Sequence, residues 1–174
     1  MKKAQSIFFS KDSELKLRSF LKRKGKTVII GLGNIYKMDD AAGIAALRLL
    51  RKKNLDKVKD VSLIEAGRRL IDYVHVIGDL KPTKIIFIDS SSFGADPGRT
   101  KLFSQDQISD GNLNTHENNF NLVLGYLKKK IPDSQILFIG IQFGCLDMTD
   151  EVLLTENVRK GVGEIVRSFE KYFQ

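Results

Sequence analysis

Residues 27–34 read Thr-Val-Ile-Ile-Gly-Leu-Gly-Asn, a short β-branched apolar run that leads into two glycines. A run without polar alternation is typical of a strand that is buried on both faces of a parallel sheet. Residues 40–53 follow, with apolar side chains at helical spacing and basic residues at the end, where the helix dipole favours them. This stretch therefore predicts the first strand and the first helix of an α/β domain.

The alternation of strand and helix continues along the rest of the chain. Residues 84–88 have the strongest strand pattern. The link from them to the next predicted strand is shorter than the roughly dozen residues that a parallel crossover needs. We therefore expect the strand at 99–103 to be antiparallel. The order predicts a three-layer α/β/α sandwich around a mostly parallel, five-stranded sheet with one antiparallel strand. The remaining strands are predicted at 61–64 and 135–140, and the remaining helices at 69–80, 116–130 and 151–173.

The composition is that of an ordinary globular protein with one buried core: 174 residues, 42% of them hydrophobic and 29% charged. No apolar run approaches the roughly 20 residues that cross a bilayer, and the N-terminus lacks the apolar segment of a secretory signal. The single cysteine, Cys145, excludes an internal disulfide and a zinc-finger ligand set. We therefore expect a cytoplasmic, monomeric protein without a membrane span.

The net charge of +8 is concentrated at the start of the chain. Residues 1–26 hold nine of the 29 basic residues and two of the 21 acidic ones, so the remainder is close to neutral. Leucines recur there at roughly helical spacing, with Asp12 or Ser13 as the expected cap, until Gly25 interrupts the pattern. We interpret residues 1–26 as a basic, helical N-terminal extension rather than a nucleic-acid-binding arm, and residues 27–174 as one domain.

Four polar residues are candidates for chemistry, because ligands of such sheets collect beyond the carboxyl ends of the strands. Asp39 and Asp40 follow the first strand, Asp89 ends the third, and His116 opens a predicted helix. Carboxylates and an imidazole could ligate a divalent transition metal, or supply a general base with its orienting partner. Each residue also has a structural alternative, as a helix cap, a turn residue or a residue of a first helical turn.

Other sites are poorly supported by the sequence. A dinucleotide-binding site is poorly supported, because its fingerprint needs a third glycine where this chain has Tyr36. A P-loop is poorly supported as well, because no Gly-Lys-Ser/Thr follows the glycines. A dyad of Cys145 with His116 lacks a nucleophile signature around the cysteine. His75 lies within an apolar helical pattern, so we interpret it as structural.

The motif Gly31-Leu-Gly33-Asn34-Ile35-(x)3-Asp39-Asp40-(x)2-Gly43 resembles the opening motif of the [NiFe]-hydrogenase maturation proteases. The stretch 80–89 resembles the strand of that family that ends in aspartate. Four further stretches are similar to the family: Glu65-Ala66-Gly67, Asp96-Pro97-Gly98, Asn114-Thr115-His116 and Phe138-Ile-Gly140-Ile-Gln142. The last three of these resemble the formate-hydrogenlyase (hydrogenase 3) branch of the family in particular.

The resemblance implies a phosphorylase/hydrolase-like fold and an endopeptidase that removes a C-terminal extension from the hydrogenase large-subunit precursor after nickel insertion. The metal-contacting residues of the family fall on Asp40, Asp89 and His116 of this sequence. The resemblance further implies that the substrate presents the nickel, and the same residues would accept other divalent ions. Asp39 is the nearest further carboxylate for a role as general base.

Two departures and two alternatives accompany the resemblance. Glu65-Ala66 stands where the family has Asp-Gly, and the basic segment 1–26 has no counterpart in the family pattern. A nickel or large-subunit chaperone that binds without cutting would keep the same three ligands. A peptidyl-tRNA hydrolase-like esterase shares the Gly-Leu-Gly-Asn, but that family places a catalytic histidine where this chain has residues 39–43.

Overall fold

The computed structural model describes residues 8–109 and 120–173. Within these ranges no helix is both long enough and apolar enough to cross a membrane. The strands are β1 (Thr27–Leu32), β2 (Val61–Gly67), β3 (Lys84–Ser91), β4 (Thr100–Ser104) and β5 (Gln135–Gln142). The helices are α1 (Lys11–Leu21), α2 (Ala42–Lys52), α3 (Val74–Asp79), α4 (Gln105–Ser109), α5 (Phe120–Lys130) and α6 (Glu156–Phe173).

The strands form one sheet in the order β2-β1-β3-β5-β4. All neighbours are parallel except β4 and β5, whose antiparallel register pairs Phe103 with Phe138. This register confirms the predicted antiparallel strand. The link from β3 to β4 is too short for a parallel crossover, so the chain reverses its direction there. The order also places β1 between β2 and β3. The three strands are parallel, so the loops that follow them meet at one edge of the sheet.

Helices cover both faces of the sheet, which confirms the predicted three-layer sandwich. Ile29 of β1 belongs to the core cluster that includes residues of α1, α2 and α6. Its neighbours Val28 and Ile30 belong to the cluster on the other face, with residues of α3 and α5. Successive strand residues face opposite sides of a sheet, so one apolar run supplies both cores.

Several predicted helix boundaries are wrong. A 3-10 turn, Met38–Ala41, precedes α2, and another, Leu70–Tyr73, takes the first part of the helix predicted at 69–80. The last helix begins at Glu156 instead of 151, and the short helix α4 was not expected. The predicted start of α5 at 116 lies outside the described residues.

The N-terminal segment contains the predicted helix and contributes to the core. Ser10, rather than Asp12 or Ser13, caps α1, because its hydroxyl accepts a hydrogen bond from the backbone N–H of Ser13. Leu17 is buried in the same cluster as α2 and α6. The division at residue 26 stays a prediction, and the packing of Leu17 provides the means to test it.

Lys84 holds the end of this helix. It is a buried residue at the start of β3, and its Nζ donates to the carbonyl oxygen of Leu21 at 3.0 Å and to that of Arg23. Carbonyl groups at a helix C-terminus have no partner within the helix, so a cation there completes the last turn. Burial lowers the pKa of Lys84.

We expect Leu17→Ala to destabilise the whole fold by about 2–5 kcal/mol, because it leaves a cavity in the core that α1 shares with α6. Urea unfolding followed by circular dichroism measures the change. The matched control is Leu15→Ala on the same helix, where the side chain is 65% exposed and the free energy of unfolding should hardly change. A normal stability for Leu17→Ala would show that residues 1–26 are a separate extension.

Candidate active site

The loop after β1 is shaped by a glycine that no other residue could replace without strain. Gly33 has a φ of +122°, and a Cβ at this position would lie 1.8 Å from the carbonyl oxygen of Asp40. The backbone N–H of Asn34 donates to the same oxygen at 3.3 Å. The loop therefore folds back on the turn that carries Asp39 and Asp40.

A second glycine lets α2 approach the sheet closely. A Cβ at Gly43 would lie 2.1 Å from the carbonyl oxygen of Ile88 and 2.5 Å from that of Leu32. Real Cβ atoms do not come this close to a carbonyl oxygen, so only glycine fits between the ends of β1 and β3. The close approach brings the turn before α2 beside the residues that end β3.

The structure places two of the predicted site residues, both buried, at the same edge of the sheet. Asp40 and Asp89 are only 6% and 1% exposed, and Ser90, the neighbour of Asp89, donates its hydroxyl to Oδ1 of Asp40 at 2.8 Å. Neither proposed structural role fits them: no side chain caps α2, and Asp89 lies within β3 rather than in a turn. Buried carboxylates are costly unless they are hydrogen-bonded, paired or bound to a cation.

His116, the third predicted ligand, lies outside the described residues, as does any contact that it makes. Within residues 8–109 and 120–173, no three or more His, Cys, Asp or Glu side chains are grouped so that they could hold a metal ion. Asp40 and Asp89 are therefore the part of the predicted ligand set that the structure describes.

Asp39 has a different environment from its neighbour. Its Oδ2 accepts hydrogen bonds at 2.9 Å from the backbone N–H of Gly144, from that of Cys145 and from the hydroxyl of Thr155. Its Oδ1 accepts from the backbone N–H of Thr155 at 2.7 Å. The buried carboxylate thus binds both ends of the segment 144–155, and this explains why α6 begins only after Thr155.

The residue that departs from the family motif, Glu65 at the end of β2, is held by two arginines of α2. Arg48 donates from Nη2 at 2.5 Å and from Nε at 3.1 and 3.2 Å, and Arg51 lies 3.7 Å away. The hydrogen bond to Glu65 raises the pKa of Arg48. The two arginines therefore balance the negative charge of Glu65 on the side of the sheet that α2 covers.

Known proteins resemble this chain in sequence and in fold. Residues 46–171 match the family model described as hydrogenase maturation protease (HycI). A putative hydrogenase maturation protease of Methanocaldococcus jannaschii is 33% identical over 143 residues, which cover 78% of this chain and 84% of the relative. The chain belongs to the hydrogenase maturation protease family.

Other relatives extend the agreement. The hydrogenase 3 maturation protease of Escherichia coli is 28% identical over 66% of this chain and 71% of its own length. The crystal structure of the [NiFe] hydrogenase maturation protease HycI from Thermococcus kodakarensis superposes with a TM-score of 0.79, at 26% identity, over 91% of this chain and 98% of that chain. The resemblance found in the sequence is confirmed, and the membership decides against a peptidyl-tRNA hydrolase.

Sequence reasoning missed several residues that shape the site of this maturation protease. Ser90 had a weak signal, as one of three serines after Asp89, whereas Thr155 had none, since it lies 116 residues from Asp39. The side-chain oxygen of Gln142 accepts from the backbone N–H of Phe93 at 2.9 Å and orders the loop after β3. The thiol of Cys145 lies 3.3 Å from the sulfur of Met38.

We expect Gly43→Ala to reduce the free energy of unfolding by about 3 kcal/mol, because the added methyl group would press against two backbone carbonyls. Urea denaturation measures the change. Gly125→Ala on α5 is the matched control, because a Cβ there meets no atom within 4 Å and should stabilise the helix by about 0.5–1 kcal/mol. Equal stabilities of the two variants would contradict the close approach of α2.

We expect Asp39→Asn to loosen the segment 144–155, because the new amide would turn a donor toward the N–H of Thr155 or toward those of Gly144 and Cys145. The loss should be about 2 kcal/mol, against about 1 kcal/mol for Thr155→Val, which removes one donor. Hydrogen exchange at the Gly144 and Cys145 amides should quicken in the Asp39 variant. Unchanged exchange together with lost proteolysis would instead support a role of Asp39 as general base.

Proposed function

We propose that this chain is the endopeptidase that removes a C-terminal extension from the precursor of a [NiFe]-hydrogenase large subunit once nickel has been inserted. The observation that carries the proposal is the burial of Asp40 and Asp89 at the carboxyl ends of β1 and β3, where the Ser90 hydroxyl donates to Asp40. The relatives named as hydrogenase 3 maturation protease and as [NiFe] hydrogenase maturation protease support the choice of substrate.

The donor set fits a nickel ion that arrives with the substrate. Two buried carboxylates offer oxygen ligands, and His116 would add the imidazole nitrogen that nickel favours. Such a set leaves coordination positions for ligands of the precursor itself, so the protease would recognise only a loaded substrate. When bound there, the ion supplies a positive charge beside the carbonyl group of the bond to be cut.

Hydrolysis adds water across the amide bond: the hydroxyl joins the carbonyl carbon, the C–N bond breaks, and the amine leaves with a proton. A general base, a carboxylate or an imidazole, must accept the proton that the water loses. The sequence pointed to Asp39, but both its oxygens already accept hydrogen bonds from residues 144–155. We therefore assign Asp39 to positioning and the proton transfer to one of the other three candidates, Asp40, Asp89 or His116.

The charge balance of the site is part of the proposal. Asp40 and Asp89 are buried carboxyl groups, and a bound nickel ion would add positive charge beside them. The cytoplasmic location and the monomeric state expected from the sequence stay predictions.

We expect Asp40→Asn and Asp89→Asn each to lower the rate of precursor cleavage by about a thousandfold, because each change removes a charge that faces the reacting atoms. Intact-mass spectrometry of a nickel-loaded large-subunit precursor, incubated with the full chain, measures loss of the C-terminal peptide. Asp133→Asn is the matched control, since this exposed aspartate lies just before β5, at the opposite end of the sheet.

Three outcomes would each contradict part of the proposal. If folded Asp40→Asn protein trims the precursor at the normal rate, Asp40 has no part in the reaction. If the unaltered protein binds the loaded precursor and removes nothing, the chain acts as the non-cleaving chaperone. Cleavage of the precursor without nickel would show that metal does not control recognition.

A further inference from the structure

A cavity of about 340 Å3 lies beside the candidate active site, between the loop after β1 and the end of β2. We call it the Tyr36 pocket. Its chemistry comes mainly from six residues of its lining: Ile35, Tyr36, Ile44, Gly67, Arg68 and Tyr73. The volume is at the lower end of the range of pockets that bind small organic groups.

The walls of the Tyr36 pocket are mainly apolar, because two of its charged residues are already paired. Glu65 is bound by Arg48, and Asp72 accepts a hydrogen bond from Arg69 Nε at 2.5 Å. Ile35, Ile44 and the two tyrosines remain to contact a ligand. An apolar side chain would gain from this enclosure, whereas a polar one would lose its hydration.

The rim of the pocket carries a positive charge and an exposed aromatic ring. Arg68 is exposed, and among the described residues it has no ion-pair partner. Tyr36 is 54% exposed although its ring is large and largely apolar. Tyrosine and arginine are among the residues that contribute most to the affinity of polypeptide interfaces.

The distance from the Tyr36 pocket to the candidate active site suits a peptide that occupies both. In the sheet, β1 lies between β2 and β3, so the pocket at the end of β2 and Asp89 at the end of β3 are two strand spacings apart, or about 10 Å. An extended peptide advances about 3.3 Å per residue, so about three residues cover this distance. A peptide whose amide bond lies at Asp40 and Asp89 can therefore place a nearby side chain in the Tyr36 pocket.

We propose that the Tyr36 pocket binds a large apolar side chain of the polypeptide substrate within about three residues of the cleaved bond, with an acidic group of the same segment near Arg68. The inference rests on the proposed function, because it takes the cleaved polypeptide as the ligand. It adds a determinant of substrate choice that does not depend on nickel.

The test compares the kinetics of precursor cleavage by the Tyr36→Ala variant and by the unaltered protein, with the nickel-loaded precursor as substrate. Removal of the ring should raise KM about tenfold and leave kcat within about twofold, because the pocket holds substrate and transition state alike. Leu122→Ala is the matched control, since Leu122 is a similarly exposed apolar residue on α5. Its KM should be unchanged.

Substrate variants make the test specific. The large apolar residues within three positions of the cleaved bond are replaced by alanine, one at a time. One replacement should raise the KM of the unaltered protease about tenfold and have almost no further effect on Tyr36→Ala, because both changes remove the same contact. Independent effects of the two changes would overturn the proposal.

The charge at the rim is tested separately. Arg68→Glu should raise KM about tenfold, and the increase should shrink in high salt, because an exposed charge is screened. Lys128→Glu on α5 is the control with the same change of charge. Equal KM values for the two charge variants would remove Arg68 from the proposal.

A last measurement separates this inference from the proposed function. If the unaltered protein does not cleave the precursor, calorimetric binding of a synthetic peptide that spans the processing junction decides the matter. About tenfold weaker binding to Tyr36→Ala than to the unaltered protein would support the pocket although the proposed cleavage had failed. Equal binding, or none to either protein, would overturn the pocket as well.

Discussion

The close packing of α2 against the carbonyl oxygens of Leu32 and Ile88 is the constraint on which the site depends. It exists because Gly43 has no side chain, so the helix begins between the ends of β1 and β3. A wider separation would carry Asp40 away from Ser90 and Asp89. The absence of a side chain at Gly43 thus allows the turn that carries Asp40 to lie beside the end of β3.

The glycine at position 33 and the carboxylate of Asp39 extend this arrangement in two directions. Gly33 lets the loop after β1 lie against the Asp40 carbonyl, which leaves the Tyr36 pocket on the side of β2. Asp39 binds the segment 144–155 on the other side. The candidate active site therefore lies between a cavity and an ordered loop, and both are attached to the same turn.

Three buried aspartates in this region have the same side chain and different roles in our proposal. Asp39 accepts hydrogen bonds from backbone N–H groups, Asp40 accepts a hydrogen bond from the hydroxyl of Ser90, and Asp89 lies within the central strand β3. A carboxylate that is already surrounded by donors can fix a loop but is poorly suited to take a proton from water. The partners of Asp39, rather than its residue type, indicate its positioning role in our proposal.

The sequence by itself determined the strands, the antiparallel β4, the three layers and the family, because these depend on local periodicity, short links and contiguous motifs. It also indicated Asp40 and Asp89, since both follow apolar strand runs. Only the tertiary structure decided the hydrogen-bond partners of Asp39, the packing of Leu17 and the existence of the Tyr36 pocket. Each of these depends on contacts between residues far apart in the chain, such as Asp39 and Thr155 at a separation of 116 residues, and local patterns carry no record of such contacts.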